Sequence, residues 1–165
     1  MKQNVRKEIG RVSLLLLLLY GALVVYFVLF SDRLGRTDGY STYRYNLVLF
    51  DEIRRFVRYR DNVAPGAFIL NMIGNLLVFF PLGFLIPIWR EKKTGVIRIM
   101  IYSFVFSLGI ESLQLVTRVG VFDVDDLLLN TVGGLFGYVG YRVVLAVYYH
   151  TRKIMPERNF RGNEE

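Results

Sequence analysis

Apolar residues in this chain come in long runs rather than in alternation. Val12 to Phe30, Ala67 to Trp89, Val96 to Val116 and Leu127 to Tyr149 each carry few charges. Runs of about 20 residues are what a helix rising ~1.5 Å per residue needs to cross ~30 Å of hydrocarbon. The pattern predicts an all-α, polytopic membrane protein with four transmembrane helices. No internal repeat or low-complexity tract divides the runs, so residues 12–149 form one membrane domain between a terminal segment, 1–11, and a tail, 150–165. Before the second run, "NLVLFDEIRRFVRY" places Phe50, Ile53, Phe56 and Val57 on one helical face and Arg54, Arg55 and Arg58 on the other. That pattern predicts a short helix lying in the interface. Its arginines suit lipid headgroup phosphates, although a solvated face with local pairs such as Asp51 to Arg55 fits equally well. Pro81, inside the second run, predicts a kink.

The polar residues inside the runs fall on faces. In the third run Ser103, Ser107, Glu111, Gln114 and Arg118 follow steps of four, four, three and four, which is one side of a helix. Asp126, Asn130, Gly133, Gly137 and Gly140 share a side of the fourth run, and Asn71 and Asn75 lie one turn apart in the second. Chain parity puts the start of run two, the end of run three and the start of run four at the same membrane face. Asn71, Asn75, Glu111, Gln114, Arg118, Asp123, Asp126 and Asn130 therefore form a candidate ligand-binding zone in one half of the membrane. Charge there costs roughly 2.5 to 3.5 kcal/mol per residue at a helix centre, so such groups face a protein interior or a wet cavity. Arg118 has Asp126 or Asp123 across a short turn as its expected counter-charge. Simpler roles stand beside these: Asp123 or Asp125 as a helix cap, Asp126 favoured by the helix dipole, the asparagines as interhelical glue, and Ser103, Ser107 and the glycines as packing residues.

Composition supports the membrane reading. The chain is 53% hydrophobic with a mean hydropathy of +0.37, too apolar for an ordinary soluble domain. Its formal charge of +7 would suggest nucleic acid in a soluble protein, but here the distribution explains it without one. Basic residues crowd before run one (Lys2, Arg6, Lys7, Arg11), between runs two and three (Arg90, Lys92, Lys93, Arg98) and after run four (Arg152, Lys153, Arg158, Arg161), and these segments hold all five lysines. The positive-inside rule predicts that both termini are cytoplasmic. Seven arginines between Arg33 and Arg60 weigh the other way, although the same loop carries five acids, Asp32, Asp38, Asp51, Glu52 and Asp61. The first run exceeds a signal-peptide core and "YFVLFSDRLG" offers no small-residue cleavage site, so it is expected to remain as an anchor.

The absence of cysteine excludes disulfides, thiolate metal sites and a cysteine nucleophile. The single histidine, His150, belongs to the opposite membrane face, and no Ser-His pair or zinc spacing exists. No cofactor and no dedicated metal site are expected. Two kinds of chemistry remain for the polar zone. It could bind an amphiphile, or Glu111 and Asp126 could serve an enzyme as acid and base, with Asp123, Asp125 and Asp126 as an alternative set of oxygen ligands for Mg²⁺ or Ca²⁺.

"NLVLFDEI", "NMIGNLLVFFPLGFLIPIW", "SLGIESLQL" and "RVGVFDVDDLLLNTVGGLFGY" together resemble the VanZ-like family over Asn46 to about Arg142. That family's pattern joins an asparagine-leucine box, a glycine-asparagine helix, a glutamate-glutamine helix and an arginine, phenylalanine-aspartate, aspartate-X3-asparagine-X2-glycine junction. Leu49 stands where the box usually has proline. The resemblance implies a small protein of the bacterial plasma membrane, in a family named for low-level resistance to teicoplanin, a lipid-tailed glycopeptide. The expected partner is a membrane lipid or lipid-linked amphiphile.

Overall fold

A computed structural model describes residues 3–30, 42–51, 54, 57–58, 65–90 and 94–154. Four long helices carry the chain: α1 (Gln3–Phe30), α2 (Pro65–Trp89), α3 (Val96–Thr117) and α4 (Val124–Ile154). All four contain stretches long and apolar enough to cross a membrane. The protein is an all-α membrane protein, as the runs predict. The helices outlast the runs at their ends for local reasons. Pro65 opens α2, where a proline's missing N–H costs nothing. Asp125 and Asp126 open α4 in its first turn, where carboxylates suit the positive end of the dipole. Pro81 and Pro87 both lie within α2, which continues as helix through each of them.

α1 joins the bundle along one edge. Gly10 and Ser13 are buried, and Leu17, Tyr20, Val24 and Val28 pack partly buried against the core, a repeat of three and four residues. Two hydroxyls fix its register on α2: Ser13 donates to the Leu85 carbonyl (2.9 Å) and Tyr20 to the Val78 carbonyl (2.8 Å). The opposite side of α1, with Leu15, Leu18, Leu19, Tyr26 and Phe27 exposed, meets lipid in a membrane.

α2 and α4 approach most closely, and glycine is the reason. A Cβ on Gly83 would lie 1.7 Å from the Gly134 carbonyl oxygen, one on Gly133 2.4 Å from that of Leu76, and one on Gly137 2.0 Å from that of Phe80. Backbone therefore rests on backbone, as small residues permit in membranes. Around this contact Phe79, Leu82, Ile86, Ile99, Ile110 and Tyr138 form the buried core.

Two short strands pair in parallel, β1 (Tyr45–Asn46) and β2 (Phe122–Asp123), with Tyr45 opposite Phe122 and Asn46 opposite Asp123. They lay the segment that precedes α2 across the α3–α4 turn. Beyond them Asp51, Arg54, Val57 and Arg58 are helical, and the Arg54 N–H donates to the Phe50 carbonyl (3.0 Å). These are the described residues of the expected interfacial helix; Arg55 lies outside them.

Candidate functional site

The α3–α4 turn is built around carboxylates that accept from backbone. Glu111 is 3% exposed, and its Oε2 accepts the Asp123 N–H at 3.1 Å. Asp123 Oδ1 accepts the Asp125 N–H at 2.8 Å, the side-chain-to-backbone cap anticipated for it. Asp123 also takes the Asn46 amide, with Nδ2 at 3.3 and 3.1 Å from its two oxygens. The Asn46 side-chain Oδ1 receives the Val48 N–H (3.1 Å), and Asp125 Oδ1 receives the Phe50 N–H (2.5 Å). Glu111, Asp123 and Asp125 are all buried; Glu111 and Asp123 serve backbone donors that are buried with them, the N–H groups of Asp123 and Asp125. Asn46 and Phe50 thereby tie the 42–50 strap to the turn. Phe50 has a left-handed φ of 63°, a conformation that a bulky residue holds only when its surroundings over-determine it.

The rest of the zone lies on either side of this knot. Asn75, half-buried on α2, donates its amide to Asp126 Oδ1. Asn71, one turn away on α2, is exposed. Gln114 is buried, and its side chain packs on Gly120, where a Cβ would come within 3.0 Å. Asn130 turns to α3, donating to Ser107 Oγ at 2.8 Å. Ser107 is thus a partner as well as a packing residue. Ser103 Oγ and Asn130 Oδ1, both buried, meet no protein partner among the described residues.

A family model described as VanZ/LLP1 matches residues 17–145. The chain belongs to the VanZ/LLP1 family. It is also 30% identical over 123 residues to Protein VanZ of Enterococcus faecium, an alignment spanning 74% of this chain and 68% of that protein. No solved structure matches the chain significantly.

The segments that carry the VanZ/LLP1 pattern are the ones the knot brings together: Asn46 from the asparagine-leucine box, Glu111 from the glutamate helix, and Asp123 and Asp125 from the junction. Asn46 is absent from the sequence-derived candidates, although the box that contains it is the signal that could have found it. Its contact with Asp123 spans 77 positions, and helical periodicity carries no information across a loop of that kind.

Arg118 corrects an expectation. It ends α3 with φ 58°, its N–H on the Leu115 carbonyl (3.2 Å), and its guanidinium carbon lies 4.6 Å from the Tyr43 ring centroid. No aspartate pairs with it among the described residues. The aspartates across the turn are drawn inward by amide donors, and the exposed guanidinium stacks on the strap instead. Nor do Asp123, Asp125 and Asp126 converge, since they face Asn46, the Phe50 N–H and Asn75 respectively. No group of three potential ligand side chains suited to a metal forms among the described residues.

The candidates therefore divide by access. Glu111, Gln114, Asp123 and Asn130 are buried. Asn71, Asn75, Asp126 and Arg118 are exposed or half-buried, and Arg54 and Arg58 are exposed beside the strap. His150 is exposed near the far end of α4.

Proposed function

We propose that this VanZ/LLP1 member binds or modulates an outward-facing amphiphile, a lipid-linked cell-envelope intermediate or a lipoglycopeptide such as teicoplanin. The accessible half of the polar zone, Asn71, Asn75, Arg118 and Asp126, receives the headgroup, and Arg54, Arg55 and Arg58 contact neighbouring phosphates. One observation carries the reading. The carboxylate best placed inside the membrane for acid–base work, Glu111, is buried and spends an oxygen on a backbone N–H, whereas the groups of the zone that reach its surface are amides, one carboxylate and arginines. That inventory suits recognition of a polar head on an apolar chain. The family's association with teicoplanin resistance supports a ligand of this type.

Both termini are assigned to the cytoplasm on the lysine distribution. The chain has no native cysteine, so Arg36→Cys should react with an impermeant maleimide in intact cells. Labelling only after permeabilisation would reverse the orientation.

The functional test uses isosteres. Glu111→Gln and Asp126→Asn keep size and most hydrogen-bonding capacity while removing the ionised oxygen. A catalytic carboxylate lost in this way costs ~10²- to 10⁴-fold; a binding carboxylate loses on the order of 1 to 3 kcal/mol. The amide variants should keep measurable teicoplanin tolerance in a susceptible host at normal expression, and Asp126→Leu should lose it. Amide variants as inactive as the leucine variant, while folded and inserted, would transfer the site to an enzyme with Glu111 and Asp126 as acid and base.

A further inference from the structure

Arg118 precedes three aspartates of its own turn, Asp123, Asp125 and Asp126, and pairs with none of them among the described residues. Its backbone is held in the left-handed region and its guanidinium carbon lies over the Tyr43 ring, 4.6 Å from the centroid. Tyr43 is itself placed by the strap: the Phe122 N–H donates to the Arg44 carbonyl (3.0 Å), and Asn46 is tied to Asp123 three residues on. A guanidinium stacked on an aromatic face keeps its in-plane N–H edge directed away from the ring. That edge is the bidentate donor pair that phosphate oxygens fit. Next to it the strap exposes an apolar surface made of non-helical chain, with Tyr45, Leu47 and Val48 all more than half exposed. Arg54 and Arg58 are exposed on the helical stretch that follows. An oriented cation at the edge of an apolar strap, at the mouth of a membrane bundle, is complementary to a phosphate carried on acyl or prenyl chains.

We propose that Arg118, oriented by Tyr43, binds the phosphate of a lipid in the leaflet facing the α3–α4 turn, with the 45–50 strap seated among that lipid's chains. The inference deepens the binder reading and rests on it for the lipid character of the ligand. It adds the phosphate, and it adds Tyr43 as the positioning residue.

The test titrates the purified full-length protein in detergent micelles with dioctanoyl phosphatidylglycerol, farnesyl phosphate, phosphate-free dioctanoylglycerol and inorganic phosphate, reading bound lipid by native mass spectrometry. The wild type should prefer the two phosphate-bearing lipids over dioctanoylglycerol by about ten-fold or more, the scale of a charge-assisted hydrogen bond. Arg118→Gln should abolish that preference, and Tyr43→Leu should weaken it by about three- to ten-fold through loss of the stack. Arg152→Gln removes a similar arginine-on-tyrosine pair, 5.3 Å over Tyr148 near the far end of α4, and should change nothing. A stronger response to farnesyl phosphate assigns a lipid-linked intermediate, and a stronger response to phosphatidylglycerol assigns bulk phospholipid. Inorganic phosphate bound as tightly as either lipid overturns the proposal, as does a monodisperse Arg118→Gln that keeps the preference. Should Arg118→Gln misfold, Tyr43→Leu decides, since its ring is more than half exposed; an unchanged preference there overturns the proposal too. Asp126→Leu separates the two readings: loss of tolerance with the phosphate preference intact leaves the binder standing apart from this site, whereas amide variants that are inactive but retain the preference remove the binder and leave the lipid site.

Discussion

The α2–α4 contact and the α3–α4 turn are both buried, and they are held by different physics. Between α2 and α4 nothing polar is exchanged at the point of closest approach; Gly83, Gly133 and Gly137 let two backbones touch, and the gain is dispersion between close-packed surfaces. At the turn almost every contact is a carboxylate or amide answering a donor, with Glu111, Asp123 and Asp125 knotted to Asn46 and Phe50. The first region tolerates no added volume. The second has room for side chains but tolerates no lost partner. In lipid, where apolar association gains nothing over contact with acyl chains, a bundle needs both devices: shape where helices cross, and hydrogen bonds where chain leaves the helix.

The most severe break should come from the glycine contact. Gly83→Leu drives a side chain into the Gly134 carbonyl, and neither partner can yield without separating the helices. A loss of about 3 kcal/mol or more, at the upper end for overpacking, should appear as failure to accumulate monodisperse protein in detergent. Gly109, also helical but with nothing within 4 Å of a Cβ, is its control. Gly109→Ala should be neutral or stabilising by up to about 1 kcal/mol on propensity alone. Equal damage at both positions would show that shape complementarity between α2 and α4 is not what matters.

A smaller effect belongs to the knot. Asp123→Ala strands the Asn46 amide and the Asp125 N–H together, at about 1 to 3 kcal/mol for each unsatisfied group. The strap should loosen before the bundle does. Hydrogen exchange at the Val48 and Phe50 amides should quicken while that of α2 and α4 is unchanged; uniform exchange across the protein would mean that the strap is not a separate unit.

The smallest effect sharpens the comparison where its two halves meet. Ser103 is fully buried beside Gly134, and its Oγ has no protein partner among the described residues. Ser103→Ala removes an unanswered hydroxyl from close-packed surroundings and should leave thermal stability unchanged or raise it by about 1 kcal/mol. A drop of that size would place Ser103 with the polar network rather than with the packing.

Four apolar runs, a polar face on the third helix and a glycine stripe on the fourth were legible in the residues alone, because helix periodicity and the bilayer's length requirement are local constraints. Even the depth of the polar zone followed from counting turns. The partners were not legible in the same way. Glu111 reads as a reactive carboxylate until Asp123 is seen to need an acceptor, and Arg118 reads as half of an ion pair until Tyr43 arrives from 75 positions away to offer its ring. Asn46 had no periodicity to betray it, being in a strap whose place is decided by two hydrogen-bonded residues on the far side of two helices. Sequence settled which residues had to leave the lipid, since that cost depends on each side chain by itself. Which of them satisfy one another, and which stay accessible, was decided only when the strap closed on the turn, because hydrogen bonds depend on distance and direction between groups that the chain order keeps apart.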